Sequence, residues 1–231
     1  MRARIFVSLA SLVIAGSIPG NGSAQLESIT QRDAAAALKA ALEKGSQAAV
    51  ARLGREDGFF GDARVKIPLP ESLARAEKLM RRVGLGERAD ELVLAINRAA
   101  ETAVAQAKPV FVAAVKKMTV QDAKAILTGG DTAGTEYFQR QTSEPLRARF
   151  LPIVKKATGK VGLAQKYNAY AEKGVRFGLV KEEQANLDDY VTRRALDGLF
   201  FTVAEEEKSI RKDPLKTGSS LVKKVFGALR P

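Results

Sequence analysis

The chain has 231 residues, 45% hydrophobic and 28% charged, with 38 lysines and arginines against 26 acidic residues, a formal net charge of +12 and no histidine, cysteine or tryptophan. Those absences exclude disulfides, metal and haem sites built on His or Cys, and Ser-His-Asp or Cys-His catalysis, which leaves an enzyme only carboxylate, Ser-Lys or Tyr chemistry. A fold of this length without cross-links must stand on its apolar core.

The first 24 residues have the layout of a secretory leader: Arg2 and Arg4, an apolar run from Ile5 to Ala15, and Gly22-Ser23-Ala24 before Gln25. The apolar run is about half the roughly 20 residues needed to span a bilayer. The leader is therefore expected to be cleaved, giving a mature chain 25–231 that is exported, most naturally to a periplasm, and has no transmembrane segment.

Thr30 with Asp33 spells a capping box, and Leu38, Leu42, Ala49 and Leu53 follow at helical spacing until Gly54. Residues 55–70 contain two glycines and two prolines, with Val65, Ile67 and Leu69 alternating, and predict a short extended loop or hairpin. A second helix opens at Ser72 and stops at Gly84-Leu85-Gly86. A third runs from about 88 toward Ala107, where Pro109 predicts a kink or a fresh start continuing to Met118. Thr119 with Asp122 repeats the capping signature for a short helix ending at Gly129-Gly130, and Asp131 or Thr132 caps the next, which carries Tyr137 and Phe138.

Ser143-Glu144-Pro145 reads as another helix start, with Leu146, Phe150, Ile153 and Val154 facing the core. Helices follow at 162–173, 186–212 and 215–229, the last two divided by Pro214. The 186–212 segment bears two apolar stripes about half a turn apart, so it is either buried on both sides or bent near Gly198. The pattern predicts an all-α fold: one multi-helix bundle or layered helical array over residues 25–231.

The motifs that carry chemistry are few. Gly84-Leu85-Gly86 follows a helix rather than a strand, so it is a helix stop and not a dinucleotide loop. Thr158-Gly159-Lys160 lacks the rest of a phosphate loop and reads as a helix end. Glu91, Glu101, Glu136 and Asp189 are carboxylates that glycan cleavage could use, yet no spacing pairs them, and no catalytic residue is assigned. Gly129, Gly130, Asp131 and Thr132 open a helix whose amides could hold an anion, or could be satisfied internally by Asp131.

Charge is unevenly placed. Between Ser143 and Lys181 there are nine basic residues against Glu144 and Glu172. At helical spacing Arg149, Lys156 and Lys160 lie within about 40° of one another, and Lys166 and Lys173 are neighbours two turns apart with Tyr167 and Tyr170 between them. With Lys155, these residues form a candidate basic face for phosphate or carboxylate groups, and a solvated helix face would look the same. The phrase Val-Lys-Lys recurs at Val115, Val154 and Val222 without a fixed period, as basic last turns of helices.

The run MTVQDAKAILTGG (Met118–Gly130), then TEYF (Thr135–Phe138), FLPIVKKAT (Phe150–Thr158) and VGLAQKYN (Val161–Asn168), resembles the bacterial exported family catalogued as domain of unknown function 4197, as do VKIPLPESL (Val65–Leu73) and the closing LVKKVFGAL. The resemblance implies a single helical domain in an extracytoplasmic setting and carries no reaction or ligand.

Export makes nucleic acid an unsuitable partner and leaves lipid head groups, lipopolysaccharide, cell wall or an acidic protein. The leading expectation is a non-enzymatic binder of such an anionic envelope component, without cofactor or metal. A carrier of a small apolar ligand between helices and a carboxylate-dependent hydrolase of wall material are the alternatives.

Overall fold

The computed structural model describes residues 30–82, 86–160, 162–178, 180–214, 220, 222–223 and 225. Among them there is no strand, and the elements form a layered array of helices. The leader and most of the proposed 215–229 helix lie outside the described residues, as do Gly84 and Leu85.

Helix α1 spans Gln31–Leu53 and starts as its sequence spells. The Thr30 hydroxyl accepts the Asp33 N–H while the Asp33 carboxylate accepts the Thr30 N–H, satisfying two donors that the first turn would leave bare. Its inner face buries Leu38, Leu42, Ala49 and Leu53.

The connection after α1 is a series of turns and then an extended stretch, not a hairpin. Its alternation is real: Val65, Ile67 and Leu69 are buried while Lys66 and Pro68 are exposed. No strand pairs with it because a side chain takes that role. Asn97 accepts the Ile67 N–H at Oδ1 (2.8 Å) and donates through Nδ2 to the Ile67 carbonyl (2.9 Å), so one carboxamide makes both bonds of a ladder rung.

Helix α2 is Glu71–Arg82, and α3 is Gly86–Val104. A single 3-10 turn, Ala105–Ala107, separates α3 from α4, Lys108–Lys117. Pro109 sits in the first turn of α4, where its missing donor costs nothing. Helix α5 is Val120–Thr128, closed at its start by the second capping box, Thr119 with Asp122.

Helix α6 runs unbroken from Ala133 to Thr158, and this departs from the helix start expected at Ser143. Pro145 and Pro152 lie inside it, and each removes one intrahelical bond, to the carbonyls of Gln141 and Ala148. Gln141, Pro145, Ala148 and Pro152 are all exposed, so water can satisfy those carbonyls. The Ser143 hydroxyl donates to Gln139 O of the same helix instead of capping a new one. Burial of Phe138, Leu146, Phe150 and Val154 along the inner face holds the helix continuous.

Helix α7, Gly162–Arg176, and a 3-10 turn, Glu182–Gln184, lead to α8, Leu187–Lys212. Helix α8 packs on α1, α3, α6 and α7, which answers the two-stripe pattern: it is one continuous helix with buried residues on several sides. Phe111 of α4 bridges Phe138 of α6 and Phe200 of α8, with ring centroids 4.7 and 6.3 Å apart. Gly198 is where the loop presses in, since a Cβ there would lie 2.7 Å from the Phe59 ring.

Candidate functional site

The second half of α6 carries the basic face. Arg149, Lys155, Lys156 and Lys160 are all exposed, and none makes a side-chain ion pair among the described residues. Elsewhere several guanidinium groups are matched: Arg52 and Arg64 hold Asp62, Arg81 holds Glu77 and Asp90, Arg98 holds Glu101, Glu56 and Asp57, Arg147 holds Asp189, and Arg211 holds Glu207.

Lys156 and Lys160 meet at a cleft between α3 and α6 with a volume of about 270 Å³. Ile153, Lys156, Ala157 and Lys160 face it from α6 at helical spacing, although Gly159 and Lys160 lie just past the last turn. Arg98, Ala99 and Thr102 face it from α3. Arg98 is fixed there by Glu101 at 2.7 Å and Asp57 at 2.8 Å, and the Glu101 hydrogen bond, followed by Asp57, raises its guanidinium above the ordinary value despite the opposing cost of desolvation. Lys155 and Arg149 are not among the residues lining the cleft.

The rest of the expected basic face divides differently. Tyr167 is a core residue: its ring is buried, and its hydroxyl reaches the Ser72 hydroxyl (2.8 Å) and donates to Gln184 O (2.6 Å). Burial pushes the phenol above its usual range, and the Ser72 hydrogen bond opposes that. Tyr167 therefore ties α7 to α2 and to the turn before α8, and offers no surface to a ligand. Lys166, Tyr170 and Lys173 lie on α7, and the positions of their side chains fall outside what is described.

Just past the expected loop of Gly129, Gly130, Asp131 and Thr132, the opening of α6 holds an anion, and it is the protein's own. Glu207 of α8 is 6% exposed and accepts the N–H of Gly134 (2.9 Å) and of Thr135 (2.8 Å), together with the Thr135 hydroxyl (2.8 Å). Arg211 closes the group, bonding Glu207 at 2.9 Å and the Ile126 carbonyl at the end of α5, also at 2.9 Å. Glycine at 134 lets the groups close in, because a Cβ would stand 2.5 Å from Leu42 Cδ2 and 3.0 Å from Glu207 Oε1 and would force those side chains to shift. Asp131 is exposed, and Thr132 spends its hydroxyl on Glu136 rather than on an amide.

The carboxylates considered for acid-base work are also engaged structurally. Glu101 is buried and accepts the N–H groups of Phe59 (3.1 Å) and Phe60 (3.2 Å) while pairing with Arg98. Asp189 pairs with Arg147, and Glu136 accepts from Thr132. Glu91 is exposed. Among the described residues no cluster of three acidic side chains is placed to hold a metal ion, and no described helix is long and apolar enough to cross a membrane.

The space between α1 and α8 behind Glu207 amounts to about 10 Å³, at most one water molecule. A groove of about 190 Å³ between the start of α1 and α5, lined by Ala34, Ala35, Val120, Ala123 and Leu127 among others, opens on the surface.

Sequence reading missed Glu207 and Asn97 as organising residues. The available signal was a polar side chain on an apolar stripe: Glu207 follows Leu199 and Val203 at successive steps of four, and Asn97 adjoins buried Ile96.

The family described as a protein of unknown function, DUF4197, matches residues 28–227, and the chain belongs to that family. No curated protein and no solved structure matches.

Proposed function

We propose that this DUF4197 protein is exported to the periplasm with its 1–24 leader removed, folds as one domain over 25–231, and binds an anionic component of the cell envelope through the basic face of α6. The observation that carries the reading is a cluster of charge: Arg149, Lys155, Lys156 and Lys160 gather four exposed cations without an ion pair at one end of a single helix, while arginines such as Arg52, Arg81, Arg98 and Arg147 are matched to carboxylates. Exposed ammonium groups without internal partners raise the local potential and draw polyanions toward that surface. A non-enzymatic role fits the engagement of Glu101, Glu136 and Asp189 in structural contacts.

The test is co-sedimentation of the purified mature chain with neutral vesicles, with vesicles containing anionic phospholipid, and with isolated cell wall, each at rising salt. Binding to an anionic material that weakens steeply with salt is expected. Absence of binding to both anionic materials at low salt would overturn the reading.

A further inference from the structure

The cleft between α3 and α6 combines features that an evenly solvated basic surface lacks. Two ammonium groups four residues apart, Lys156 and Lys160, border one concavity of about 270 Å³. Thr102 stands across from them on α3, and the walls between are Ala99, Ala157 and Ile153. The alanine methyls leave the space that larger side chains would fill. The volume is just under the usual range for small-molecule sites, enough for a head group and the first few carbons behind it.

Charge selects the ligand class. Arg98 is engaged by Glu101, Asp57 and Glu56, three carboxylates to one guanidinium, so the cations at the cleft that have no carboxylate partner are the two lysines. A single carboxylate would match one of them. A phosphomonoester, with about −1.5 to −2 charge near pH 7 and three acceptor oxygens, matches both. Lysine serves as a point-charge phosphate ligand without bidentate geometry.

We propose that the α3/α6 cleft is a binding site for a phosphomonoester carrying a short apolar group, held by Lys156 and Lys160 with its hydrocarbon against Ala99, Ile153 and Ala157. This rests on the anionic-envelope reading and narrows it from a face to a site. The shared chemistry, a phosphate ester on an apolar body, belongs equally to a lipid head group and to a soluble phosphate ester.

Titration calorimetry with hexyl phosphate, inorganic phosphate and hexanoate separates the possibilities. One hexyl phosphate per chain is expected, bound at least tenfold more tightly than either control. Ala157→Leu fills the cleft without altering any charge, and it should weaken hexyl phosphate at least tenfold, as should Lys156→Ala with Lys160→Ala. Lys116→Ala with Lys117→Ala, on the exposed end of α4, should change it less than twofold. Thermal melting checks that Ala157→Leu remains folded. Should it not, the Lys156→Ala, Lys160→Ala variant, altered only at exposed positions, measures the same loss of binding.

Vesicles containing phosphatidic acid, compared with vesicles of equal charge built from phosphatidylglycerol, show whether a lipid head group enters. Preference for phosphatidic acid that Ala157→Leu abolishes marks a lipid ligand. Tight hexyl phosphate binding without that preference marks a soluble ester, and both outcomes support the site. Equal affinity for hexyl phosphate and hexanoate, or wild-type affinity in Ala157→Leu, would overturn it. If hexyl phosphate fails while vesicle binding still depends on the α6 charges, the cleft falls and the face stands.

Discussion

The two ends of α6 handle charge in opposite ways. At the first turn, the amides of Gly134 and Thr135 meet a carboxylate supplied from α8, and Arg211 completes the group. At the last turns, Lys155 and Lys156 complement the negative end of the helix dipole but meet no carboxylate, and Lys160 follows them into solvent. Charge that organises the fold is buried and matched within the chain. Charge left outside that matching is available to something beyond it.

The largest expected effect lies at the matched end. Glu207→Ala would strand two buried amides and leave the Arg211 guanidinium without this carboxylate, and removing one partner of a buried charged group costs about 3–5 kcal/mol. Chemical denaturation should show a loss of that size. A loss below about 1 kcal/mol would mean that water replaces the carboxylate and that the two ends of α6 differ less than their contacts suggest.

Next comes Asn97→Leu, which keeps the bulk and deletes both bonds to the Ile67 backbone. With Ile67 1% exposed, stranding its N–H and C=O should cost about 1–3 kcal/mol each at most. The loss should appear in the denaturation midpoint and in faster amide exchange at residue 67. Unchanged exchange there would show that the extended stretch is held by Val65, Ile67 and Leu69 alone.

What the chain displays openly is local. The capping boxes at Thr30 and Thr119 need only a partner three residues away, and the break before Pro109 needs only a ring on the backbone. Pro145 misleads because proline at a helix start and exposed proline inside a long helix look alike until the buried stripe from Phe138 to Val154 is known to be continuous. Glu207 and Gly134 are 73 positions apart, and no periodicity in either segment announces their pairing. The same distance effect hides the cleft, since Lys156 and Lys160 are legible as one helix face while Ala99 and Thr102 reach it only through packing of α3 on α6. Tyr167 shows the converse: spacing placed it among lysines, and burial assigned it to the core.

A smaller effect separates surface pairs from the buried clamp. Hydrogen bonds from Arg64, then from Arg52, hold the Asp62 carboxyl well below the usual carboxylate range, against a modest opposing cost of burial. A folded-state pKa below the unfolded value contributes stability that is present above the ordinary Asp pKa near 4 and is lost as pH falls through the folded value. Asp62→Asn should therefore lower stability slightly at pH 7, by under about 1 kcal/mol for so exposed a network, and the difference from the parent should shrink in acid. A difference that grows on acidification would reverse the assignment.

The contrast rests finally on the unmatched end. Lys155→Glu, Lys156→Glu and Lys160→Glu combined should leave the protein folded and lower the melting temperature by several degrees only, through the helix dipole, because none of the three makes an ion pair inside the fold. Removing three cations worth about 1 kcal/mol each at an anionic surface should weaken vesicle binding about a hundredfold or more. Measuring melting temperature and affinity for anionic vesicles on the same triple variant tests this most directly: a stable protein that no longer binds is predicted, and a stable protein that binds as tightly as its parent would contradict the account.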